Sequence, residues 1–125
     1  MFNPKPKQLK VKFLRKALIP HSEEEFKTFS EQCHILISTP MRLLSALKNA
    51  SLKLSTCKTI IFDEADTLFD LGFFSEISEI LQNLPLDCQK AFFSATMQPA
   101  IEQTLRSFMR ETTKITVGIK NATAK

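Results

Sequence analysis

The sequence predicts an α/β fold, an open sheet of parallel strands wound with helices on its faces. Two observations carry that expectation. Two apolar runs, Thr59-Ile60-Ile61-Phe62 and Ala91-Phe92-Phe93, lack polar alternation and read as strands covered on both faces. Helical stripes of apolar residues fall between and after these runs. The resulting order is βαβαβαβαβ, that of a doubly wound sheet.

Each element has a local reason. Leu9 to Leu14 alternates apolar and basic residues, as an edge or half-exposed strand does. Glu23 to Gln32 predicts a short surface helix, capped by Ser22 and carrying three glutamates at its positive end. Ile35-Leu36-Ile37 is a short buried strand. Thr39-Pro40 then opens a helix, with Thr39 as N-cap, Pro40 in the first turn, and Leu43, Leu44 and Leu47 as the apolar face. Phe74, Ile77, Ile80, Leu81 and Leu84 mark a helix ended by Pro85. Met97, Ile101, Leu105, Phe108 and Met109 mark another, and Ile115-Thr116-Val117 predicts a last strand. Residues 1–8 read as a flexible basic start, 9–118 as the folded body and 119–125 as a loose tail.

Bulk composition narrows the class. A chain of 125 residues is one domain or part of one, and 43% apolar with 24% charged residues excludes a disordered chain. No run approaches the roughly 20 apolar residues that span a bilayer. No stretch of signal-peptide character follows the basic start, so an intracellular protein is expected. Cys33, Cys57 and Cys88 are widely spaced without a C-x-x-C pair, which predicts buried or half-buried thiols in a reducing compartment, not a zinc site. The net charge of +4 is terminal: residues 1–16 hold six Lys/Arg and no acid, and the rest hold eleven bases against thirteen acids. A solvated, frayed end is the expected reading there, with a nucleic-acid arm as the alternative. Eleven phenylalanines without Trp or Tyr fall mostly on predicted core positions and do not suggest a base-stacking platform.

The chemistry lies at the ends of the two apolar runs. Asp63-Glu64-Ala65-Asp66 directly follows Phe62, and Ser94-Ala95-Thr96 directly follows Phe93. A carboxylate pair at the carboxyl end of a buried strand suits a nucleotide-hydrolysing α/β domain, one acid linked to magnesium and one serving as base for water. Thr96, before Met97 and Pro99, could equally cap a helix. The 125 residues contain no G-x-x-x-x-G-K-[ST] loop, and their two glycines, Gly72 and Gly118, cannot build one. Half an ATP site is present.

Three signatures stand in order: Thr39-Pro40-Met41-Arg42 after Ile35–Ile37, then Asp63-Glu64-Ala65-Asp66, then Ser94-Ala95-Thr96. With Asp70-Leu71-Gly72-Phe73, similar to an acidic-x-Gly-Phe turn, they make the sequence resemble the DEAD-box ATP-dependent RNA helicases from about Leu9 to Gly118. The resemblance implies part of a RecA-like first lobe: a parallel sheet with flanking helices, lacking the strand that carries the phosphate loop. It implies that Asp63 holds Mg²⁺ through water, that Glu64 orients and deprotonates the attacking water, and that Asp66 bonds to Ser94 and Thr96 to couple nucleotide state to lobe movement. Thr39, Pro40, Arg42 and Gly72 are then the RNA contacts, made to phosphates and not to base edges. For Thr39 and Arg42 the plain alternative is a cap and a solvated arginine, and for Gly72 it is a turn terminator.

ATP and Mg²⁺ are the cofactors implied for a complete parent, neither expected to bind tightly to these 125 residues. RNA, an upstream segment and a second RecA-like lobe are the implied partners. The adenine-binding glutamine, the phosphate loop and the first RNA motif of such helicases have no counterpart here. Since the phosphate-loop strand of the family lies beside the strand ending at Ser94, unpaired backbone groups and an apolar face are expected to be exposed. Ile35 to Leu44 and Val117 to Ala122 resemble Rok1-type helicases, which implies a nucleolar, pre-ribosomal setting. Two classes stay open: part of an RNA helicase, or a non-catalytic RNA- or protein-binding fragment that cannot turn over ATP.

Overall fold

The computed structural model describes residues 8–15, 19–49 and 52–118. The expected basic start, apart from Gln8, and the expected tail from 119 to 125 lie outside these residues. Among the described residues nine elements follow in order: β1 (Val11–Phe13), α1 (Glu23–Glu31), β2 (Ile35–Ile37), α2 (Pro40–Asn49), β3 (Thr59–Phe62), α3 (Ala65–Asp70), α4 (Phe74–Gln82), β4 (Gln89–Phe92) and α5 (Pro99–Ser107). The chain divides after Ser94 into two compact units, the second holding α5.

Local signals place most of these elements. Ser22 Oγ accepts the Glu25 amide of α1 at 3.1 Å, and the Glu25 carboxylate reaches back to the His21 N–H at 2.7 Å, a close relative of the capping box. At α2, Thr39 Oγ1 accepts from the Arg42 N–H at 3.4 Å while Pro40 fills the first helical position, where a missing N–H costs nothing. Helix α4 stops at Gln82, before Pro85.

The strands pair in parallel but in two separate pairs among the described residues. β1 lies on β2 with Val11 opposite Ile35 and Phe13 opposite Ile37. β3 lies on β4 with Thr59 opposite Gln89 and Phe62 opposite Phe92, whose rings stack at 4.9 Å. Helical segments link the strands of each pair, as parallel pairing requires. Leu14, Ala46 and Leu52 form one small core, against which Ile19, Phe26, Phe29, Leu36 and Leu43 pack. Phe62, Ala65, Ile77, Ile80 and Leu81 are also buried, and α2 lies beside α4 with Lys48 bridged to Glu79 at 2.9 Å.

Several expectations are corrected. Ile115-Thr116-Val117 forms no strand: Ile115 and Val117 are 82% and 94% exposed, and an extended segment without a partner ladder cannot satisfy its backbone as a strand. The strand expected at Ala91–Phe93 begins earlier, at Gln89, because the ladder to β3 and not hydropathy sets its start; Gln89 N–H bonds to the Lys58 carbonyl at 2.9 Å. Neither apolar run is covered on both faces, since Ile61 and Phe93 are exposed. The β1–β2 pair likewise turns Val11, Phe13, Ile35 and Ile37 to solvent, while Lys12 lies over the Phe29 ring at 5.5 Å. This face belongs to the β1–β2 pair and is distinct from the one expected beside the strand that ends at Ser94, and Ile35–Ile37 was expected to be buried. The phenylalanines are not mostly core: Phe62 alone of those described is buried, and Phe13, Phe74 and Phe93 are exposed.

Candidate functional site

The acid motif is held by backbone bonds to the end of β4. Phe93 N–H donates to the Phe62 carbonyl at 2.8 Å, and Ala65 N–H donates to the Phe93 carbonyl at 2.9 Å. The ladder therefore continues one step past both strands, and it sets Asp63-Glu64 beside Phe93-Ser94. Ala65 is wholly buried at this crossing, which explains a small residue inside an acidic motif.

Glu64 has φ 52° and ψ 46°, the left-handed conformation, which is uncommon for a residue with a side chain. It is the N-cap residue of α3, and its N–H is taken by Asp63 Oδ1 at 2.9 Å. The turn brings the chain sharply from strand to helix and leaves both Asp63 and Glu64 exposed. Asp66, half-buried in the first turn of α3, accepts from the Thr67 N–H at 3.0 Å through Oδ1. Ser94 and Thr96 are exposed, and the two fall in different compact units. The helix after Thr96 is capped by Gln98, in extended conformation with Pro99 following, so Thr96 is not the N-cap that its position suggested.

Among the described residues no group of three or more His, Cys, Asp or Glu side chains is placed to hold a metal ion, so any hard divalent cation at Asp63 would take most of its ligands from elsewhere. Such an ion prefers oxygen ligands, and an ionised carboxylate offers about four lone-pair sites, of which the Glu64 N–H uses one.

The Thr39–Arg42 segment sits at the carboxyl end of β2. Thr39 caps α2 as expected, and its carbonyl also accepts from the Leu43 N–H at 3.0 Å. Arg42 is not simply solvated: its Nη1 donates to the Leu14 carbonyl at 3.3 Å, tying α2 to the end of β1. Sequence reasoning missed this contact, which joins residues far apart in the chain. Pro40 is half-buried at the start of the helix.

Gly72 has a clear structural role. Its N–H bonds to the Phe69 carbonyl and the Phe73 N–H to the Leu68 carbonyl, both at 3.0 Å, and Gly72 itself has φ 86°. This double bond pattern is a Schellman motif, with Gly72 in the left-handed position that closes α3. A Cβ at Gly72 would meet no atom within 4 Å, so the position asks for glycine through backbone conformation alone.

The 125 residues match the family model of the DEAD/DEAH box helicases over residues 3–104. The chain belongs to the DEAD/DEAH box helicase family. It is 42% identical over 100 residues to the ATP-dependent RNA helicase ROK1 of Yarrowia lipolytica, covering 79% of this chain and 18% of that protein. It is 36% identical over 107 residues to the pre-mRNA-splicing ATP-dependent RNA helicase PRP28 of Saccharomyces cerevisiae, covering 80% of this chain and 18% of the relative. The chain thus spans about a fifth of the length of these curated relatives. Its fold matches the crystal structure of yeast Prp28 with a TM-score of 0.64 at 36% identity, over 82% of this chain and 24% of that one. A DEAD box protein from Methanococcus jannaschii matches with a TM-score of 0.67 at 28% identity, over 82% of this chain and 28% of that one.

Proposed function

We propose that the 125 residues are a section of the first RecA-like lobe of an RNA helicase that remodels RNA by hydrolysing ATP. The observation that carries this reading is the bonded crossing Phe62–Phe93–Ala65, which holds two adjacent carboxylates beside Ser94 at the ends of paired parallel strands. In this reading Asp63 holds magnesium through water, and Glu64 orients the attacking water and takes its proton. Bound magnesium supplies charge neutralisation on the β- and γ-phosphates. The two carboxylates divide the labour because a base must keep a lone pair for the proton it accepts. Asp66, Ser94 and Thr96 form the proposed coupling set, and Thr39, Pro40, Arg42 and Gly72 the proposed RNA contacts, with Arg42 serving both a fold bond and a phosphate. By likeness to ROK1, ribosomal RNA processing in the nucleus is the setting we favour, with RNA, an upstream segment and a second lobe as partners.

The decisive experiment uses a complete helicase carrying this segment. Glu64→Gln is expected to abolish ATP hydrolysis while leaving nucleotide binding largely intact, because Asp63 keeps its charge for the metal. Equal loss of binding and hydrolysis would reverse the assigned roles. The isolated 125-residue chain is expected to show no RNA-stimulated ATPase, since it contains no phosphate loop. Turnover that vanishes on Glu64→Gln in that chain would overturn the second expectation.

A further inference from the structure

At the opposite ends of β3 and β4 from the acid motif, Cys57 and Cys88 face one another with their sulfurs 3.9 Å apart. Cys57 precedes β3 and is half-buried; Cys88 precedes β4 and is 6% exposed. Their Sγ atoms also point at backbone carbonyls, Cys57 at Thr59 and Cys88 at Gln89, which holds both side chains near the strand ends. Two sulfurs at this distance need to approach by only about 2 Å to reach disulfide bonding distance. Both lie just outside the strands with their backbones held, Cys57 N–H to the Leu54 carbonyl at 3.0 Å and Cys88 N–H to the Pro85 carbonyl at 3.1 Å, so the approach falls to rotation of the two side chains.

We propose that Cys57 and Cys88 form a reversible intrachain disulfide under hydroperoxide, stapling the amino-terminal ends of β3 and β4. The more exposed Cys57 sulfur attacks the peroxide O–O bond, giving a sulfenic acid and one water. The Cys88 sulfur then attacks the sulfenic sulfur; the S–O bond breaks, the S–S bond forms and the second water leaves. In sum two thiols and one hydrogen peroxide give one disulfide and two waters, the thiols losing two electrons and the peroxide gaining them. The order of events follows from the two environments. Burial, and next the neighbouring Cys57, push the Cys88 thiol up to about 11, so Cys88 is a poor first nucleophile and acts as the resolving partner. A dithiol reductant reverses the step by thiol–disulfide exchange.

The sequence makes the test clean. Trypsin cuts after Lys53, Lys58 and Lys90, so Cys57 falls in residues 54–58 and Cys88 in residues 59–90, while Cys33 falls in 28–42. The full 125-residue chain is treated with hydrogen peroxide, alkylated, digested without reduction and mapped by mass. The expected product is 54–58 linked to 59–90, with 28–42 alkylated at Cys33. Separate alkylated peptides, a bridge through Cys33, or a linkage found only in a covalent dimer would each overturn the proposal. Closing a loop between residues 31 apart should raise the folded-to-unfolded ratio by roughly 500-fold. The oxidised chain should therefore unfold at higher urea than the reduced chain, the gain vanishing with dithiothreitol and in Cys57→Ser but persisting in Cys33→Ser. An unfolding midpoint that oxidation leaves unmoved would count against the staple as decisively as the peptide map.

Discussion

In the proposed reading Arg42 carries two demands on one guanidinium. One N–H already goes to the Leu14 carbonyl, and a phosphate contact must use others of the five. Arg42→Ala should therefore weaken both the fold and RNA binding, and salt separates the effects. On a single strand each phosphate contact adds about −0.7 to the slope of log affinity against log salt. Losing Arg42 should flatten that slope by less than one unit, without changing preference among RNA sequences. A slope that Arg42→Ala leaves unaltered, measured on protein still folded by circular dichroism, would reduce Arg42 to a structural tie. The motif was legible because its residue types are unusual together. The Leu14 contact was not, because a side-chain bond between distant segments leaves no mark on local sequence.

Elements were legible where their ends carry chemistry. Ser22, Thr39-Pro40 and Pro85 each act within a few residues, so the starts of α1 and α2 and the end of α4 fall where capping and breaking rules put them. Helix α3 was harder to see as a separate element: it has six residues, too few for an apolar stripe, and its end is written in Gly72 alone. Because a Cβ there has room, Gly72→Ala tests the backbone term by itself, and a loss of about 1–2 kcal/mol is expected in urea unfolding. Gly72→Asn should lose less, since asparagine enters the left-handed region more readily. Equal losses would mean that the motif is not what holds the turn.

In the second unit, Glu102 bonds to Lys114 at 3.1 Å and to Arg106 at 3.3 Å, linking α5 to the segment after it. Lys114 first, and then Arg106, hold the Glu102 carboxyl below its usual range. The folded value is the lower one, so the contribution is present above the ordinary carboxylate range and fades as pH falls through the lowered value. Lys114→Ala should raise the Glu102 titration midpoint by NMR, while Arg106→Ala raises it less.

At the scale of the whole molecule, burial was the property least legible from sequence. Hydropathy names residues that prefer to leave water, but what covers them depends on elements that the run itself does not encode. Val11, Phe13, Ile35 and Ile37 share one face of the β1–β2 pair and remain 44–55% exposed. An apolar sheet face of this kind favours association. The 125-residue chain should sediment as a concentration-dependent mixture, and Phe13→Thr with Ile37→Thr should shift it towards the monomer. Since each side chain is about half exposed and the two are cross-strand partners, the pair of changes should cost roughly 1–3 kcal/mol of unfolding free energy, so the comparison is made where both proteins are folded by circular dichroism. A monomer at all concentrations would show that the exposed face is harmless.

The left-handed backbone of Glu64 carries a cost in stability. A residue with a Cβ held there stores about 1–2 kcal/mol that glycine would not. Glu64→Gly should accordingly withstand more urea than Glu64→Ala, even though neither leaves a carboxylate at this position. If the two variants unfold together, the turn is relaxed and carries no such tension. If glycine wins, the second acid of the motif is a site where the fold gives up stability so that the chemistry can have its side chain.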